Sequence, residues 1–376
     1  MLPVRRPARV LPLLLCAVLC VLPAGCAARP ADTTGNDVRE AVADWSRVPP
    51  ESLSGIPLDG WAYEVASVRR DGARALVRAE LRYRLTGYDP APGGSERELE
   101  LERAAGGGPW RVRADRPAPG ALPQLWDQGP VSVVRGTRSL VLGGAGQSPQ
   151  ALAAIAAEAD GAVPAASAAW PRPWAGRVVV LVPGSLELMA RLLGRPADAY
   201  RGMGAVTTGR VGAGPAPADR VVVNPEGYAQ LGEAGRRVVL THEVTHVATR
   251  AATSATTPLW LSEGFADWAA YRGTPTTPEQ GAPALARAVR RGEVPAGLPR
   301  TEDFAFGGDP EALARAYEGA WLACRLIADR WGEAALVDLY EKAGRGPWPT
   351  ALREALGSDP GGLTQEWREA LRKEFR

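Results

Sequence analysis

The chain contains only 2 histidines, and both fall in one stretch, Thr241-His242-Glu243-Val244-Thr245-His246. This H-E-x-x-H spacing constrains the chain more than any other feature. On a helix, residues four apart share a face, so both imidazoles can reach one metal ion. Glu243 projects toward the same cleft, where it can take a proton from an attacking water and hand it on to a leaving amine. The flanks suit a buried helix, with Val238, Val239 and Leu240 before the motif and Val247 and Ala248 after it. Two histidines falling at this spacing with a glutamate correctly placed between them would be a rare accident, so a metal site ranks above a pair of core histidines. With no third histidine, the remaining protein ligand is a carboxylate or is absent.

Downstream runs Pro258-Leu259-Trp260-Leu261-Ser262-Glu263-Gly264-Phe265-Ala266-Asp267. Ser262 is a fair N-cap, which would put Glu263 in the first turn of a second helix, where a glutamate is also favoured simply by the helix dipole. Together with H-E-x-x-H, this run resembles the paired signatures of gluzincins, the thermolysin-like and aminopeptidase-N-like metallopeptidases. The resemblance implies a zinc ion (Zn2+) held by His242, His246 and Glu263, with Glu243 as catalytic base and peptide bonds as substrate. Val247 to Ser262 separate the two elements, slightly fewer residues than the best-known branches use. The resemblance also implies that Asp267 orients His242, the alternative being a solvated helix charge. The segment Tyr317-Glu318-Gly319-Ala320-Trp321-Leu322-Ala323-Cys324-Arg325-Leu326 resembles the aminopeptidase-N segment that opens with an oxyanion-stabilising tyrosine. Tyr317 aligns with that tyrosine and Arg325 also fits; a core helix with a tyrosine near its start is the plain alternative. One element departs from the pattern. The Gly-x-Met-Glu-Asn run that holds a substrate's free amine in those aminopeptidases meets only Gly202-Met203-Gly204-Ala205-Val206, which lacks the acidic residue. Specificity for amino ends is therefore unsupported. From chain order, the strand around Arg220 to Val223 is expected to be the sheet edge that pairs with substrate backbone.

The N-terminus reads as an export signal. Arg5, Arg6 and Arg9 form a cationic start, Val10 to Leu22 an apolar run too short to span a membrane, and Pro23-Ala24-Gly25-Cys26 its end. Ala24-Gly25-Cys26 resembles the close of a bacterial lipoprotein box, with Leu22 one position further out than usual. That implies lipidation at Cys26 and anchoring on the outer face of the cell membrane, with soluble secretion or an uncleaved anchor as alternatives. Cys16 and Cys20 leave with such a leader. Cys324, flanked by Trp321, Leu322 and Leu326, reads as a buried helix residue and not a nucleophile.

In 376 residues there is room for two ordinary domains and a leader. The expected division is a signal peptide over 1–26, a tethered α+β domain over 27–122 and a metallopeptidase domain over 123–376. In the first domain, Val38, Ala41, Val42 and Trp45 mark a helix over 37–46. Val77, Ala79, Leu81, Tyr83 and Leu85 alternate with polar residues, as a strand with one buried face does. Asp71-Gly72 pairs that strand with one near 61–70, and Leu99, Leu101, Trp110, Val112 and Ala114 extend the alternation. One helix and an antiparallel meander resemble cystatin-like domains. The Pro- and Ala-rich stretch 115–122 reads as a linker. Beyond it lie a hairpin over 131–142, a helix opened by Ser148-Pro149, strands near 177–182, 204–211 and 219–224, and helices from Glu233 onward. The fold class expected is α+β, with a mixed sheet in the second domain.

Setting aside Arg5, Arg6 and Arg9 from 44 basic residues, against 42 acidic ones, leaves a chain close to neutral. That balance argues against nucleic acid as a partner. A peptide or protein substrate fits better, with the membrane reached through the N-terminal lipid. Two other functions suit the same residues: a scaffold or binding lipoprotein that inherited a peptidase fold, and a zinc amidase acting on cell-wall material. Glu243 counts against the first, because a scaffold has no need of a base.

Overall fold

A computed structural model describes residues 35–209, 216–305 and 308–376. The leader with Cys26 lies outside the described residues. The architecture is mixed α+β, with two separate sheets. Among the described residues no helix is long and apolar enough to cross a membrane.

Helix α1 (Asn36–Trp45) is followed by strands β1 (Leu58–Asp71), β2 (Arg74–Leu85), β3 (Gly93–Arg103) and β4 (Trp110–Pro117). These strands form an antiparallel meander in sequence order, and the hairpin turns at Asp71-Gly72 as expected. Alternation decides which face is buried: Val77, Ala79, Leu81, Tyr83, Leu99 and Leu101 turn inward and meet Val38 and Val42 of α1. Trp45, expected on the same apolar face, is the most exposed of its four residues and rests on the Tyr63 ring.

The stretch expected as a linker begins inside β4. Arg97 on β3, almost fully buried, binds Asp115 of β4 through Nε (2.8 Å) and Asp127 through both terminal nitrogens (2.8 and 2.9 Å). A buried guanidinium needs such paired acceptors. The pairing ties the segment after β4 back onto the meander.

The second sheet contains β5 (Ser132–Arg135), β6 (Ser139–Gly143), β7 (Val178–Val182), β8 (Ala205–Thr208) and β9 (Arg220–Val223), in the order β5-β6-β7-β9-β8. Its interior pairs, β6 with β7 and β7 with β9, are parallel, while both outer pairs are antiparallel. β9 is therefore an interior strand. The edge expected at Arg220–Val223 is instead β8, because the chain returns antiparallel outside β9. The run Val178-Val179-Val180-Leu181-Val182 is apolar at every position, as a strand covered on both faces must be. Val178, Val180, Val182, Val221 and Val223 face a large helical core, while Leu140, Leu142 and Val179 face Leu53, Ile56 and Leu85 of the N-terminal part.

The helical side comprises α2 (Pro149–Ala169), α3 (Leu186–Leu193), α4 (Pro225–Ala229), α5 (Glu233–Thr249), α6 (Leu259–Tyr271), α7 (Pro278–Gly281), α8 (Pro283–Arg290), α9 (Pro310–Trp331), α10 (Glu333–Ala343), α11 (Trp348–Leu356) and α12 (Pro360–Glu374). Ser148 caps α2 by accepting from the Ala151 amide. Helix α5 lies between α2 and α6, and α6 between α5 and α9.

Candidate metal centre

The histidines owe their direction to the opposite face of their own helix. Leu240, Val244 and Ala248 of α5 are buried in the helical core. His242 and His246 stand two positions away from that stripe, about 200° around the helix, so burying the stripe turns both imidazoles toward the cleft. Thr245 and Thr249 return their hydroxyls to the carbonyls four residues back, at 2.7 and 3.0 Å, which keeps these polar groups satisfied inside the packed helix.

Helix α6 supplies the carboxylates. It begins at Leu259 after Pro258, so Ser262 is not its N-cap and Glu263 lies beyond the first turn. The early start follows from packing: Trp260, Leu261 and Phe265 are all buried in the core. Proline's fixed φ also suits the position just before a helix. Ser262 instead packs inward, with the Tyr340 hydroxyl 3.4 Å from its Oγ. Glu263 and Asp267, four residues apart, share the face turned to α5.

Three donor atoms converge there. His242 Nε2 and His246 Nε2 are 3.0 Å apart, and Glu263 Oε2 lies 3.4 and 3.5 Å from them. Donors held about 2.0–2.2 Å from one tetrahedral zinc ion stand about 3.3–3.6 Å from each other; the two carboxylate separations fall in that range, and the histidine pair stands slightly closer. The chemistry of the donors fits as well. Asp267 Oδ1 lies 2.8 Å from His242 Nδ1, which places the ring proton on Nδ1 and leaves the Nε2 lone pair facing the other two donors. Lone pairs brought together this way repel unless a cation sits among them. The surroundings are also negative enough to favour a positive charge at this point: burial alone would lower the His242 pKa, yet Asp267, Glu263 and Glu243 hold it well above its ordinary value. Glu263 is held far below the usual carboxylate range despite burial, by His246 and His242. Among the described residues this is the one group of three metal-ligating side chains close enough to share an ion.

Glu243 is buried on the same helix, and the Thr207 hydroxyl lies 2.7 Å from its Oε2 and 3.0 Å from its backbone carbonyl. Tyr317 on α9 packs edge-on against Phe304. Burial first, then the charges of Glu263, Asp267 and Glu243, push its phenol far above its ordinary pKa, so it stays protonated. Arg325 is drawn to Asp329 at 3.6 Å and lines a cavity with Trp367 of α12. Cys324 is buried and has no disulfide partner among the described residues, with its thiol pushed up by desolvation.

Three residues that hold β8, β9 and the end of α5 in place carried no signal in the sequence. Thr207 lies in a strand whose edge position depends on the order of the sheet. Asp219 at the start of β9 accepts from Arg250 just after α5 and so pins the end of the histidine helix to the sheet. Arg220, next to Asp219, is gripped by Asp89. Each pairing joins segments far apart in the chain.

No protein-family model matches the sequence, and no curated protein matches it. Among solved structures, native yeast LTA4 hydrolase is similar over 72% of this chain and 42% of that chain, with 14% sequence identity and a TM-score of 0.37. This chain thus spans less than half of that one, and a likeness so distant carries no weight beside the geometry of the site.

Proposed function

We propose that the chain is a zinc-dependent peptidase of the gluzincin type, with His242, His246 and Glu263 as ligands and Glu243 as general base. The observation that carries the reading is the convergence of His242 Nε2 and His246 Nε2 of α5 with Glu263 Oε2 of α6, all within 3.5 Å of one another, with buried Glu243 on the same helix as the two histidines. Zinc at this point supplies Lewis acidity, lowering the pKa of a water toward about 7. The chain's own residues do the rest. Glu243 receives the water's proton and returns it to the departing amine. Asp267 keeps His242 in the tautomer that offers Nε2 to the metal. Tyr317, protonated at neutral pH, can donate a hydrogen bond to the carbonyl oxygen as charge builds on it. Among the described residues β8 is the outer strand of its sheet, so its outer edge offers main-chain groups to an extended peptide, and Thr207 on that strand places it beside Glu243.

We also propose, on the pattern of the leader alone, that the protein is exported and held on the outer face of the membrane by lipid on Cys26.

Zinc per chain by elemental analysis, together with cleavage of a mixed peptide panel, tests the reading. The expected result is one zinc per chain and cleavage that Glu243→Gln lowers by several orders of magnitude while zinc is kept. Near-normal turnover in Glu243→Gln would reject Glu243 as the base. Absence of zinc after reconstitution would reject the ligand set.

A further inference from the structure

On β8, Ala205 and Thr207 share the face turned toward α5, and Ala205 is buried in the core that holds Leu240 and Val244. Thr207 pairs with Val221 of β9, and β9 is tied at its start by Asp89 to Arg220 and by Arg250 to Asp219. The hydroxyl is therefore presented from a fixed strand. It has one proton and two acceptors within reach, Glu243 Oε2 at 2.7 Å and the Glu243 carbonyl at 3.0 Å. An ionised carboxylate is the stronger acceptor.

We propose that Thr207 is a positioning residue for the general base: its hydroxyl holds Glu243 Oε2 and leaves Oε1 as the oxygen that receives the water's proton. The need is physical. The terminal torsion of a glutamate is broad and roughly two-fold, so a carboxylate without a lateral partner rotates between orientations that offer different lone pairs. Proton transfer requires the accepting oxygen within hydrogen-bond reach of the water, and one fixed rotation meets that requirement on every turnover. The second acceptor matters after the transfer. Once Oε1 carries a proton, Oε2 accepts more weakly, and the Glu243 carbonyl offers the hydroxyl another partner. The threonine is thus satisfied in both protonation states of the base.

This inference rests on the peptidase reading for its kinetic consequence but not for its geometry, and the experiment separates the two. Thr207→Val and Thr207→Ser are made in the full-length zinc-loaded protein. Zinc content, kcat and KM on a cleaved panel peptide, and the crystallographic orientation of the Glu243 carboxylate are measured for each. Thr207→Val is expected to keep its zinc, to hold KM within about twofold and to lose kcat by about 10- to 100-fold, the scale on which small misplacements cost rate. The Glu243 carboxylate should then occupy more than one orientation, and Thr207→Ser should restore both the rate and the single orientation. An unchanged kcat in Thr207→Val would overturn the proposal. So would a rate loss that follows zinc loss and that serine does not rescue. If the unmutated protein cleaves no peptide, the peptidase reading fails and the crystal structures decide. A Glu243 carboxylate fixed alike with and without the hydroxyl overturns the positioning role, and one that rotates freely in Thr207→Val sustains it.

Discussion

Asp267 sets how His242 presents its ring to the neighbouring donors. Its carboxylate 2.8 Å from Nδ1 fixes which ring nitrogen carries the proton, and a negative partner also makes the other nitrogen a better donor to a metal. Asp267→Ala should therefore weaken zinc binding by about 10- to 100-fold, measured by competition against a chelator of known affinity. Unchanged affinity would mean that His242 is oriented by packing alone. At this scale the sequence was informative wherever one helix sets the relation between residues. His242 with His246, and Glu263 with Asp267, are both four apart, and helical geometry alone puts each pair on one face. Thr207 was not legible for the opposite reason. Its partner is 36 residues away, and only the order of the sheet says that β8, not β9, lies at the edge.

Between elements, the site depends on how closely α6 approaches α9. Gly264 follows Glu263, and a Cβ built on it would stand 2.3 Å from the Ala320 carbonyl and 2.9 Å from Cys324 Sγ. Helix propensity alone predicts that alanine at a mid-helix glycine stabilises by about 0.5–1 kcal/mol. The contact predicts the reverse sign. Gly264→Ala must push α6 away from α9 and is expected to destabilise by about 1–3 kcal/mol, seen as a lower denaturation midpoint with zinc affinity reduced. A stabilised variant would show that the two helices are not in tight contact. The same packing explains why Ser262 misled as a cap. Capping chemistry is local, whereas the helix was extended upstream by the burial of Trp260 and Leu261 against the rest of the core, and the sequence names those residues as apolar without saying what they will meet. The meander was legible for the converse reason. Its strands are neighbours in the chain, so alternation and one turn signal were enough to place them.

For the whole molecule, the sequence offered β7 only as an apolar strand, and the structure shows that both faces of its sheet are covered. One cover is the helical core. The other is supplied by Leu53, Ile56 and Leu85, from the part of the chain expected to be a separate domain. Contact between the two parts is also ionic. Asp89, its side chain fully buried, accepts from both terminal nitrogens of Arg220 at 2.7 and 2.9 Å and from the amides of Leu85 and Ala218. Removing one partner of such a pair leaves the other charge buried and unanswered, which costs about 3–5 kcal/mol. Asp89→Ala should therefore lower global stability by that amount although it lies far in sequence from the metal ligands, and Arg220 should lose its grip on the start of β9, the strand against which β8 presents Thr207. If instead the N-terminal part were a spacer, residues 123–376 alone would unfold cooperatively at the temperature of the full chain and bind zinc equally well. We expect neither, because that fragment leaves Leu140, Leu142 and Val179 facing water and Arg220 without its carboxylate. Calorimetry and zinc titration of the fragment beside Asp89→Ala distinguish a cover from a spacer: a cover predicts that both are destabilised, the fragment more than the point variant.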